Sequence, residues 1–133
     1  KEIPYEHAEG FASGQLKHGP LSLVTPNTPV FAVFGGDQNE KTLKNASEAR
    51  TRGADVIAVA HEDHPAVDAA DAHLRVPDVH PVWAGLLANI QLQLVSYYTA
   101  NQLDRAIDML LERIEADPPA EPAPPAYPVK AKP

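Results

Sequence analysis

Glu2 and His18 stand near the two ends of the opening stretch KEIPYEHAEGFASGQLKHGPLSL, one a carboxylate, the other an imidazole. These side-chain types commonly pass protons in general acid–base catalysis. Each also has a plain structural role. A glutamate in a first helical turn is favoured by the helix dipole, and a histidine at a helix end can bond the last free carbonyls. A second cluster, His61-Glu62-Asp63-His64, sets two imidazoles three apart with carboxylates between them. That spacing can reach one ion, but it is not the HExxH zinc pattern, so the stretch reads as a polar loop and no metal is expected.

The elements that must position these groups follow from the hydrophobic pattern. Tyr5, Ala8, Phe11, Ala12 and Leu16 step by three and four, which predicts a helix over the first part of the chain. Glu6, Glu9 and Ser13 continue the face of Glu2, and Glu6 and Glu9 read as solvated helix carboxylates. Gly10 and Gly14 leave a third face bare, where another backbone can come close. His7 and Phe11, four apart, can pack together. Gly19-Pro20 cannot continue a helix, so His18 is expected at its C-terminal end.

Beyond that point strands and helices alternate. Thr28 to Phe34, TPVFAVF, is a short buried strand between Pro26 and Gly35-Gly36, with Pro29 tolerated at its start. Asp37-Gln38-Asn39 can cap a helix from Glu40 to Arg52, which Gly53 stops. Asp55 to Ala60, DVIAVA, is a second buried strand, and His73 to Val76 is a short edge strand. Val82 to Asn101 forms a long helix whose apolar positions (Trp83, Leu87, Ile90, Leu94 and Tyr98, with Leu86, Leu92 and Val95) predict cover on more than one side. This order indicates an α/β layered sandwich with a mainly parallel sheet flanked by helices on both faces.

Composition narrows the function classes. The chain has 133 residues, 44% hydrophobic, with net charge −7 and six lysines. That balance argues against a nucleic-acid or anionic-membrane surface, and it would also suit a high-salt cytoplasm. Without cysteine there is no thiolate chemistry. No G-x-G-x-x-G or P-loop is present, so no nucleotide cofactor is expected. No apolar run reaches membrane length, and a cytoplasmic protein is the expectation.

The run HAEGFASGQLKHGPL, correctly spaced after Lys1-Glu2, resembles the second sugar-isomerase (SIS) subdomain of the glucosamine-6-phosphate synthases, the glutamine–fructose-6-phosphate transaminases. That family carries a lysine–glutamate pair, then HAE, then a GELKHGPL-like block, and Gln15 stands where it usually has glutamate. The likeness extends more loosely through ANIQLQLVSYY, from Lys1 to Tyr98, and fructosamine deglycases share part of it. By this resemblance Glu2 takes the position of the proton-transfer base between C1 and C2 of the sugar. His18 takes that of the ring-opening acid/base, offered to a partner subunit's site, which implies a homodimer. The implied ligand is a phosphosugar of the fructose 6-phosphate or glucosamine 6-phosphate class, with no cofactor.

The chain also departs from the family. The family's strand before the lysine–glutamate pair has no counterpart, so a truncated sheet is expected, its open edge needing cover. A PRNLAKSV-like tail with a Schiff-base lysine is not matched, and Lys130 and Lys132 are given no role. Instead, Leu103, Ile107, Leu110, Leu111 and Ile114 predict an amphipathic helix over 102–117, ended by Pro118-Pro119. Residues 118–133 are Pro/Ala-rich and read as a disordered tail. In the family the phosphate-holding Ser/Thr loop belongs to the first isomerase subdomain and the ammonia source to a glutaminase domain. The expectation is therefore a partial SIS domain over 1–101, inactive alone. A related deglycase and a non-catalytic phosphosugar-binding or dimerisation module are the alternatives.

Overall fold

A computed structural model describes residues 4, 6–36 and 39–116, with side chains through 113. Its centre is a three-stranded, all-parallel sheet in the order β1-β2-β3. The strands are β1 (Pro29–Val33), β2 (Asp55–Ala60) and β3 (Ala72–Arg75). Pro29 pairs opposite Asp55 and Val33 opposite Val59, while Ala60 faces Arg75 on the other side. Each strand lies within a residue or so of its expected bounds. Pro29 opens the edge strand β1, where a missing N–H does least harm.

Alternation along β2 builds two cores. Val56, Ala58 and Ala60 face helix α1 (Asn39–Thr51), joining Ala46, Ala49, Ala32 and Phe34. Val59 faces the other way, against Ala88 of helix α3 (Pro81–Ala116), with Val76 beside it. Helices thus cover both faces, as parallel crossovers require. A short helix α2 (Ala66–Ala69) follows the polar stretch 61–64 and adds Ala66 to the α1 side.

Both interfaces are lined by small residues, which lets helix and sheet approach closely. An ideal Cβ on Gly35 would lie 2.8 Å from Ala84 Cβ, so glycine is what admits the start of α3 beside the exit of β1. Gly53, at φ +90°, turns α1 into β2 with Pro26 packed against it. Asn39 does not cap α1 as expected. Its Oδ1 instead accepts the Gly35 and Gly36 amides, fastening the loop after β1. Asp37 and Gln38, the rest of that expected cap, lie outside the described residues.

The helix expected over the first part of the chain does not form in its described portion. Residues 6–12 carry no regular structure, and two 3₁₀ turns follow, Ser13–Gln15 and Pro20–Leu23. Each glycine costs a helix about 1 kcal/mol relative to alanine, and Gly10 and Gly14 fall inside a segment that has little to pack against. Phe11 stays 45% exposed. Nor does any backbone among the described residues approach the bare glycine face, since a Cβ on Gly10 or Gly14 would meet none of them within 4 Å.

A second expectation also changes. The helices expected from Val82 and from residue 102 onward are one helix, α3, of 36 residues, about 54 Å long at 1.5 Å per residue. It is not enclosed on several sides. Among the described residues only its Ala84, Leu87, Ala88 and Leu92 side packs inward, while Trp83, Leu86, Ile90, Leu94, Tyr97 and Tyr98 face outward. The three strands are too few to cover that face, and Phe31 and Val33 of β1 are left half-exposed too.

Candidate functional site

His18 sits on the turn linking the two 3₁₀ segments, exposed to solvent. Its amide donates to Gln15 O at 3.0 Å, and Gly19, at φ +134°, then reverses the chain into Pro20. Only glycine adopts that backbone without strain. The turn closes through Leu21 N–H to Leu16 O at 2.9 Å and through Ser22 Oγ, which donates to Gly19 O at 2.6 Å. Leu16, Leu21 and Val24 drop onto the α1-side core and anchor the turn from beneath. His18 therefore ends a tight loop, not the helical rod expected from the apolar spacing. Glu2, the other expected site residue, lies outside the described residues.

Two polar ties join this loop to α1. Asn45 Nδ2 donates to Ser13 O at 2.9 Å and to Ser13 Oγ at 2.8 Å. Three residues on, Glu48 Oε1 receives Lys17 Nζ at 2.6 Å. Between loop and helix opens a cleft of about 640 Å³, with Ser13, Lys17, Lys41, Lys44 and Asn45 on its walls. Three of the six lysines of an acidic chain meet there. The expected packing of His7 on Phe11 is replaced by a loose contact from His7 Nε2 to Glu9 Oε1 at 3.4 Å.

A second cleft, about 460 Å³, lies at the carboxyl ends of β2 and β3, the edge where parallel sheets usually receive ligands. His61, Glu62, Asp63, Arg75 and Asp78 line it, with Arg75 paired to Glu62. His64 turns away from solvent. Its Nδ1 accepts the Ala66 amide at 3.1 Å, which leaves the ring proton on Nε2, and Phe34 packs on it at 4.9 Å. Burial, and then the neighbouring His61, lower its pKa below the usual 6.5, so it is neutral at pH 7. It is thus a structural histidine that opens α2. Among the described residues no three histidine or acidic side chains converge as a metal site.

Asp71, just before β3, was unmarked by any sequence motif. Its carboxylate accepts the Val56 amide at 2.9 Å and Arg50 at 2.7 Å, and those bonds hold its pKa down despite some desolvation. It locks α1 to the start of β2.

The comparisons with known proteins agree with this architecture. The SIS domain family model matches residues 1–101, which include His18. The chain is 48% identical over 109 residues to glutamine–fructose-6-phosphate aminotransferase (isomerizing) of Halobacterium salinarum, and 48% over 110 residues to that of Methanosarcina mazei. Each alignment covers 81% of this chain and 18% of the relative, so the chain spans less than a fifth of their length. The C-terminal domain of glucosamine-fructose-6-phosphate aminotransferase from Francisella tularensis superposes with a TM-score of 0.65 at 38% identity. That superposition covers 74% of this chain and 29% of the other. A parallel sheet flanked by helices, a family match over 1–101 and this set of relatives place the chain in the SIS (sugar isomerase) domain family.

Proposed function

We propose that this chain works as a sugar-isomerase unit of a glutamine–fructose-6-phosphate transaminase-type enzyme, binding a phosphosugar and supplying isomerisation residues, and that it is inactive alone. The observation that carries the reading is the His18 turn. Its imidazole projects from a hydrogen-bonded, glycine-reversed loop within the family-matched segment, toward solvent and away from its own core. A group that serves a neighbouring chain's site needs that outward placement, and a homodimer exchanging His18 between subunits goes with the reading. A cytoplasmic location goes with it as well.

Ketose–aldose interconversion moves a proton between C1 and C2 through an enediol, after the sugar ring has opened. In this reading His18 passes the proton that opens the ring, and Glu2 is the base at carbon. Residues 1–101 form the sugar-handling unit, 102–117 its helical extension and 118–133 its tail. The relatives' names supply the substrate class, fructose 6-phosphate.

Calorimetric titration with glucosamine 6-phosphate tests the binding half. Saturable heat that weakens about tenfold or more in His18→Ala is expected, in line with a lost hydrogen bond to a charged or polar ligand. Equal heat in both proteins would remove His18 from the site. Turnover of fructose 6-phosphate by the isolated chain would refute its inactivity alone.

A further inference from the structure

We infer that Asn45 is a positioning residue for His18, an assignment that rests on the proposed role of that imidazole. Asn45 is only 8% exposed, on a helix whose other buried positions, Ala46 and Ala49, are apolar. A buried amide is costly unless it is bonded, and asparagine is a poorer helix former than alanine or leucine. Nothing in the sheet uses it. Its Nδ2 donates instead to Ser13, at the carbonyl and at the hydroxyl.

Ser13 stands at the start of the loop's internal bonds, one residue after Ala12, whose carbonyl accepts Gln15 N–H at 2.8 Å. The Ser13 carbonyl also accepts Leu16 N–H at 3.3 Å, Leu16 O accepts Leu21 N–H, and the amide of His18 closes on Gln15 in between. Fixing Ser13 therefore fixes the frame that carries the imidazole. The segment upstream, 6–12, has no regular structure to do so. The Lys17–Glu48 pair acts in the same direction but is half-exposed, so it is the weaker of the two ties.

Asn45→Asp tests this in the full 133-residue chain, since it keeps the shape and removes the N–H donor. Amide hydrogen exchange, measured by NMR without ligand, compares His18 and Leu21 with Val59 at the centre of the sheet. The expected result is about tenfold or more faster exchange at His18 and Leu21 with Val59 unchanged. Ser13→Ala, which leaves α1 untouched, should produce the same local change more weakly and add little in the double variant. Equal acceleration at all three amides, or none at His18 and Leu21, overturns the assignment. Because no sugar is present, a failure of phosphosugar binding would sink the proposed function and leave this test standing.

Discussion

Lys17 Nζ and Glu48 Oε1 meet at 2.6 Å, joining the residue before His18 to the outer face of α1. Both side chains are more than a third exposed, so solvent screens the pair. Glu48→Gln should lower global stability by less than about 1 kcal/mol, read as a small shift of the urea midpoint at constant slope. A larger loss would mean that the pair braces the fold itself.

Gly35 is a stricter site. Its neighbour across the contact is Ala84 Cβ on a helix, which cannot swing aside. Gly35→Ala should destabilise by about 1–3 kcal/mol through overpacking. Adding Ala84→Gly should recover part of that loss, although the new helical glycine costs about 1 kcal/mol itself. Urea denaturation of both variants checks the sign; no recovery in the double variant would show that the clash lies elsewhere.

Acid should destabilise the protein in two separate windows. His64 has a folded pKa below its unfolded 6.5, so its contribution is complete above 6.5 and falls away as the unfolded chain takes up a proton the native one resists. Asp71 is depressed below 3.8, so its contribution is complete above that value and is lost as pH falls through the folded pKa. His64→Asn keeps an acceptor for the Ala66 amide and should flatten the upper window. Asp71→Asn should flatten the lower one. Melting temperature against pH for the three proteins separates them.

The outward stripe of α3 holds Trp83, Leu86, Ile90 and Leu94 in water, with Trp83 59% exposed. Such a contiguous apolar face marks a contact surface. Trp83 emission should move to the blue as protein concentration rises, and Leu86→Glu with Leu94→Glu should abolish that change. Since neither side chain supports the sheet, stability of the dilute protein should change by no more than about 0.5 kcal/mol. Concentration-independent emission would argue against self-association through this face.

The sheet and α1 were legible in the sequence because their signals are local: DVIAVA can only be a buried strand, and Gly53 marks the turn before it. The first segment misled because its apolar spacing is real but used otherwise. Leu16 and Leu21 do pack on the core, yet from a glycine-reversed loop, while Phe11 joins no core cluster among the described residues. Periodicity records which side chains seek a core, not which backbone delivers them. Asn45 and Asp71 carry no local sequence signal, and His64 reads as part of a polar stretch, because the tie that a polar residue makes shows only through a distant partner, here Ser13, Val56 and Phe34. The family resemblance, carried by the KHGPL block, was readable where the geometry around it was not.

The central claim, that the His18 turn handles a phosphorylated sugar, is tested most directly by two-dimensional NMR during titration with glucosamine 6-phosphate, using unphosphorylated glucosamine as control. Saturable shifts confined to His18 and the amides of 13–22, absent with the control, are the result this account predicts. Shifts clustered instead at His61, Arg75 and Asp78 around the carboxyl edge of the sheet, or none with either sugar, would contradict it.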